Sequence, residues 1–260
     1  MEIKAKRAAF FPREPIELVV APGALADVSW SGGGTPASGE GPRFRTRFSR
    51  GGSHMIHARS GEELAQIEVT VCPLDEWLAR AQAFFGPSLD LKKVKVTTSP
   101  YVIGGGGTGW TCNTVVRFKR PIRPEDLPSE ATLIHELAHV WEHRAGQAQL
   151  LSGLIEQVRR PFGGDPYDFG GPSGLREAKS LTQFSKEGQA QILSELWKAQ
   201  HGYPTDHKKV PFSTPGYVDD LRRLAQGAGI GTRDPSRRTF AGVLDSGTAR
   251  LVNVFLALFE

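Results

Sequence analysis

Between Leu133 and Trp141 the chain reads Leu-Ile-His-Glu-Leu-Ala-His-Val-Trp, with His135 and His139 four residues apart and Glu136 beside the first. On a helix this spacing sets the two imidazoles about 40° apart around the axis and one turn along it, close enough to share an ion. Two neutral imidazoles so placed can hold Zn²⁺, and the adjacent glutamate can take a proton from water that the ion activates. With 7 His and 17 Glu in 260 residues, chance supplies the pattern only about 0.01 times.

A hydrolytic zinc site takes three protein ligands and leaves one position open. The extended metzincin pattern would need Gly at 142 and His at 145, where Glu142 and Ala145 stand. His143 continues the four-residue spacing, but three successive turns of a straight helix do not wrap one tetrahedral ion. Acidic candidates remain: Asp165 and Asp168 within Gly163–Gly171, and Glu187 and Glu195 further on. Glu187 is favoured. Phe184 to Trp197 places Phe184, Ala190, Ile192, Leu193, Leu196 and Trp197 as in a core helix, with Glu187 in its N-terminal part.

The sequence around these residues carries helix and strand signals of its own. Ser129 suits an N-cap, Glu130 the positive end of the helix dipole and Gly146 the C′ position, so a helix is expected from about 130 to 145. Leu74 to Phe85 repeats apolar residues at helical spacing and stops at Gly86-Pro87. Before it, Ile16–Val20, Ala26–Trp30, Phe44–Phe48, His54–Ala58 and Ala65–Val71 read as short strands separated by turn clusters such as Ser31-Gly32-Gly33-Gly34. Arg43, Arg45 and Arg47 alternate with Phe44, Thr46 and Phe48, which predicts a basic outer face and an aromatic inner one. Val94–Thr98 and Trp110–Phe118 read as two strands joined by a hairpin loop through Gly104–Gly109, a glycine run lacking the Gly-Lys-Ser/Thr of a phosphate loop. Beyond Pro215 two helices are expected, at about 217–227 and 240–259, packing under the site.

Composition narrows the function classes. The net charge is +4, and the whole excess lies in residues 1–60, which hold 9 basic and 5 acidic residues; no basic stripe runs along the remainder, so no nucleic-acid partner is expected. No apolar run approaches 18 residues, so no membrane span is expected. The N-terminus lacks the apolar region of a signal peptide, which points to a cytoplasmic place or export by a leaderless route. Cys72 and Cys112 fit neither a zinc ribbon nor a disulfide scaffold, leaving one disulfide or two thiols open.

Leu133–Trp141, Tyr167-Asp168-Phe169-Gly170-Gly171, and Phe184 with Glu187-Gly188-Gln189-Ala190-Gln191-Ile192 resemble the zincin-like metallopeptidase domains associated with bacterial Rhs toxins and contractile injection systems. The likeness covers about residues 76–200. It implies Zn²⁺ as cofactor, a peptide or protein substrate, a secretion-apparatus or toxin partner, and Glu187 as third ligand. Upstream, Ala26-x-x-x-Trp30 followed by Gly51-Gly52-x-His54-x-Ile56-x-Ala58-x-x-Gly61 resembles bacterial immunoglobulin-like modules. The expected class is thus α+β, with an immunoglobulin-like β-sandwich over 1–73 and a zincin-like metallopeptidase domain over 74–260. The expected activity is zinc-dependent hydrolysis with Glu136 as general base, Tyr167 as a candidate oxyanion donor and Trp110–Phe118 as the substrate-pairing edge. The alternative is a non-catalytic interaction or structural component of a secretion or toxin system.

Overall fold

A computed structural model of the protein describes residues 1–21, 27–99, 101–102, 108–119, 129–146, 167–205 and 210–231. Among them the chain is mixed α+β, with three sheets and five α-helices. It divides into two compact units. Of the described residues, one takes those within Met1–Trp77, Thr98–Thr108 and Lys119–Leu127; the other takes those within Leu78–Thr97, Gly109–Phe118 and Pro128–Glu260.

In the first unit the strands are β1 (Ile3–Ala5), β2 (Ala9–Phe10), β3 (Ile16–Val20), β4 (Ser29–Gly32), β5 (Ser38–Glu40), β6 (Arg43–Thr46), β7 (Gly52–Ser60) and β8 (Glu63–Val71). They form two sheets, ordered β1-β3-β6 and β2-β8-β7-β4-β5. Alternation decides which way each strand faces. In β3, Ile16, Leu18 and Val20 are buried while Glu17 and Val19 are not; in β6, Phe44 and Thr46 are buried and Arg43 and Arg45 exposed, a pattern continued by exposed Arg47 and buried Phe48. The buried residues of both sheets make one cluster around Trp30, whose ring stacks on Phe44 at 5.5 Å and whose Nε1 donates to the Gly41 carbonyl at 2.7 Å. β7 and β8 join through Gly61-Glu62, with Gly61 at φ 59°, a conformation that favours glycine.

Three short strands, β1, β2 and β5, carry too few residues for a readable period. β2 pairs parallel to β8, with Ala9 opposite Thr70. β4 lies later than the Ala26–Trp30 reading, since it takes Ser31 and Gly32 into the ladder, where they face His57 and Ile56. Residues 22–26 fall outside the described residues. Both cysteines are free thiols, and burial pushes that of Cys72 up to about 12.

The remaining elements are α1 (Leu74–Phe85), β9 (Lys95–Ser99), β10 (Gly109–Cys112), β11 (Val115–Lys119), α2 (Glu130–Arg144), α3 (Gly171–Glu177), α4 (Lys186–His201) and α5 (Tyr217–Gly227). Trp110–Phe118 is therefore two strands, not one. Asn113 takes φ 55°, which asparagine tolerates, and the two-residue turn Asn113-Thr114 folds β10 back on β11 with Cys112 opposite Val115. The sheet order is β10-β11-β9, so β9 and β10 are not hairpin partners across the glycine run as expected; β11 lies between them. Residues 103–107 of that connection, and the expected helix at 240–259, lie outside the described residues. α2 packs on α4 and on β10, and α5 packs on α3 and α4.

Candidate metal centre

The site is built on α2. Ser129 caps it, its Oγ accepting from Thr132 N at 3.1 Å, and Gly146 follows its C-terminal end at φ 81°. Leu133, Ile134, Leu137, Ala138, Val140 and Trp141 are buried and fix the helix in the unit's core. α4 starts at Lys186 rather than at Phe184, because Ser185 caps it by accepting from Gly188 N at 3.0 Å; Phe184 ends the preceding 3₁₀ turn, Leu181–Gln183. Ser194 Oγ donates to the Ala131 carbonyl at 3.0 Å and ties the two helices together. Their packing brings the first turn of α4 to the histidine pair.

His135 Nε2 lies 3.1 Å and His139 Nε2 3.5 Å from Glu187 Oε2. Ligand atoms of His135, His139 and Glu187 all fall within 4.8 Å of one another. Bonds of 2.0–2.2 Å to a tetrahedral zinc put ligand atoms about 3.3–3.6 Å apart; the donor types suit that ion, the His139–Glu187 separation falls in that range and the His135–Glu187 separation just short of it. Burial of the His139 imidazole opposes its charge, but hydrogen bonds to Glu142 and Glu187 outweigh this and hold its pKa well above the ordinary 6.5. Glu187 is likewise pushed up by burial, yet its bonds to His135 and His139 hold it well below the usual 4.5.

The other acidic candidates are placed differently. Asp168 is exposed and turns back to accept from Gly170 N at 2.8 Å. Glu195 is buried farther along α4, where it accepts from Lys198 at 3.1 Å and Thr205 at 2.5 Å. His143 is half-buried and outside the triad, and Asp165 lies outside the described residues. Tyr167 packs its ring 5.8 Å from that of His135, tilted by 41°.

Glu136 is buried beside the triad and held by β10. Thr111 Oγ1 donates to Glu136 Oε2 at 2.6 Å and lies 3.1 Å from its carbonyl oxygen. A side chain on Gly109 would meet Glu136, with Cβ 2.4 Å from Cγ and 2.6 Å from Oε1. Glycine there makes room for the carboxylate, while Thr111 engages Oε2. These contacts give a buried carboxylate with one oxygen anchored by a hydroxyl. Sequence reasoning passed over Gly109, Thr111 and Glu142. The only signal for Glu142 is its position three residues after His139, on the same helix face; for Gly109 and Thr111 the contact is tertiary.

No family model matches the chain. Over 147 residues, 54% of its length, it is 28% identical to the type VI secretion system spike protein VgrG2b of Pseudomonas aeruginosa. That span is 13% of the relative's own length.

Proposed function

We propose that this chain is a zinc-dependent hydrolase, a peptidase in the first instance, that serves in a bacterial type VI secretion assembly. One observation carries the hydrolase part: His135, His139 and Glu187 converge within ligand distance beside a buried, anchored Glu136. A structural zinc site needs no general base next to its ligands, so Glu136 argues for chemistry. The likeness to a spike protein supports the secretion setting. On this reading the first unit is an immunoglobulin-like module and the second a zincin-like domain.

His135, His139 and Glu187 would hold the ion, which when bound supplies a Lewis acid for the scissile carbonyl and lowers the pKa of water toward about 7. Glu136 takes a proton from water on Oε1 as that water's oxygen adds to the scissile carbonyl carbon, and gives it to the amine nitrogen as the C–N bond breaks, with Thr111 fixing its orientation. Among the described residues β10 is an edge of its sheet, and an extended peptide can add to it as a further strand. Tyr167 is proposed to donate to the developing oxyanion, from its position beside His135.

A second reading, a non-catalytic component of a secretion spike, is favoured by the likeness to a spike protein. Exposure of a mixed peptide pool to wild type and to Glu136→Gln, followed by mass spectrometry, separates the two. The substitution keeps volume but cannot accept the proton, so hydrolysis should fall by about 10² to 10⁴ while zinc is retained. Equal turnover would remove the hydrolase reading and leave the non-catalytic one.

A further inference from the structure

Glu142 has no part in the ligand triad, yet its placement is costly in three respects. It is fully buried at 0% exposure, and a buried carboxylate must recover its lost hydration from partners. Its Oε1 has no hydrogen-bond partner among the described residues. It also sits in the last turn of α2, where the helix dipole favours cations over anions. The hydrogen bond and ion pair found for it among the described residues are both with His139, whose Nδ1 lies 3.0 Å from Glu142 Oε2.

That contact has a chemical consequence. An imidazole that donates its Nδ1 proton to a carboxylate is fixed as the tautomer with its lone pair on Nε2, and Nε2 is the nitrogen facing Glu187. The bond also locks the ring's orientation and raises the basicity of the liganding nitrogen. We propose that Glu142 is a positioning residue of the metal centre, holding His139 with Nε2 aimed at the ion and strengthening that nitrogen as a ligand through the hydrogen bond to Nδ1. The proposal rests on reading His135, His139 and Glu187 as a metal site, and it goes further by assigning a fourth residue to its tuning.

The test measures metal binding rather than turnover. Zinc affinity of wild type, Glu142→Gln and His139→Ala is determined by competition with a chromophoric chelator, and the Co²⁺-loaded proteins are compared by visible absorption. Glu142→Gln, which keeps shape but loses charge, should bind zinc about 10- to 100-fold more weakly and shift the Co²⁺ bands, with its helical circular dichroism intact. Affinity within twofold of wild type and an unchanged Co²⁺ spectrum, while His139→Ala loses the metal, would overturn the role of Glu142 and leave the metal site standing. Equal zinc binding by wild type and His139→Ala would remove the site and this proposal together. Should Glu142→Gln not fold, the imidazole ¹⁵N spectrum of zinc-loaded wild type decides. A protonated Nδ1 on His139 supports the assignment, and an Nδ1 without its proton overturns it.

Discussion

At the residue scale, a proton and a metal ion compete for the same nitrogens. His139 is held above 6.5, so its contribution to the stability of the metal-free chain is complete below about 6.5 and is lost as pH rises through its raised value. Glu187 is held below 4.5, so its contribution is complete above about 4.5 and is lost as pH falls through its lowered value. Between those limits His139 and Glu187 attract each other as an ion pair in the metal-free chain, and zinc must displace the His139 proton to bind. Zinc affinity should therefore rise with pH across the neutral range, with net proton release. Calorimetric titrations in two buffers of different ionisation enthalpy measure this; an affinity that is flat across that range, with no protons released, would contradict it. The His135–His139 pairing is legible from spacing alone, because one helix supplies both residues. The approach of Glu187 is not, because it depends on how α2 and α4 pack. Glu142 was hidden for another reason: a carboxylate three residues from a histidine is common on helix surfaces, and only burial distinguishes this one.

At the element scale, strand alternation and helix caps were readable where a segment was long enough to show its period. β3, β6 and α2 follow their patterns closely. The misreadings fall at turns decided by single residues, such as Asn113, which divides one expected strand into β10 and β11, and Ser185, which starts α4 two residues after Phe184. The hairpin matters for the chemistry, since β10 carries both Gly109 and Thr111 against Glu136. Gly109→Ala would place a methyl group against that carboxylate and force it aside. A displacement of about 1 Å at a reacting group can cost about 10²-fold in rate, so hydrolysis should drop by roughly that factor with zinc content unchanged. Paired activity and metal assays check it, and undiminished turnover in Gly109→Ala would show that β10 does not set the position of Glu136.

At the scale of the whole molecule, the two units differ in how far their organisation could be read. The first is a run of short strands around Trp30, whose alternation shows in the text, although the parallel pairing of β2 with β8 links residues about sixty apart and has no local signature. In the second, the pattern most specific in sequence lies on α2, and the unit's packing surrounds it with groups from α4 and β10. No helix among the described residues is long and apolar enough to cross a membrane. Whether this packing builds a zinc site is decided by elemental analysis of the purified chain and of single alanine variants after zinc loading and removal of excess metal. About one zinc per chain is expected in wild type and in Asp168→Ala, with the metal lost from His135→Ala, His139→Ala and Glu187→Ala. Stoichiometric zinc retained in both histidine variants, or none bound by wild type, would show that His135, His139 and Glu187 do not form a zinc site.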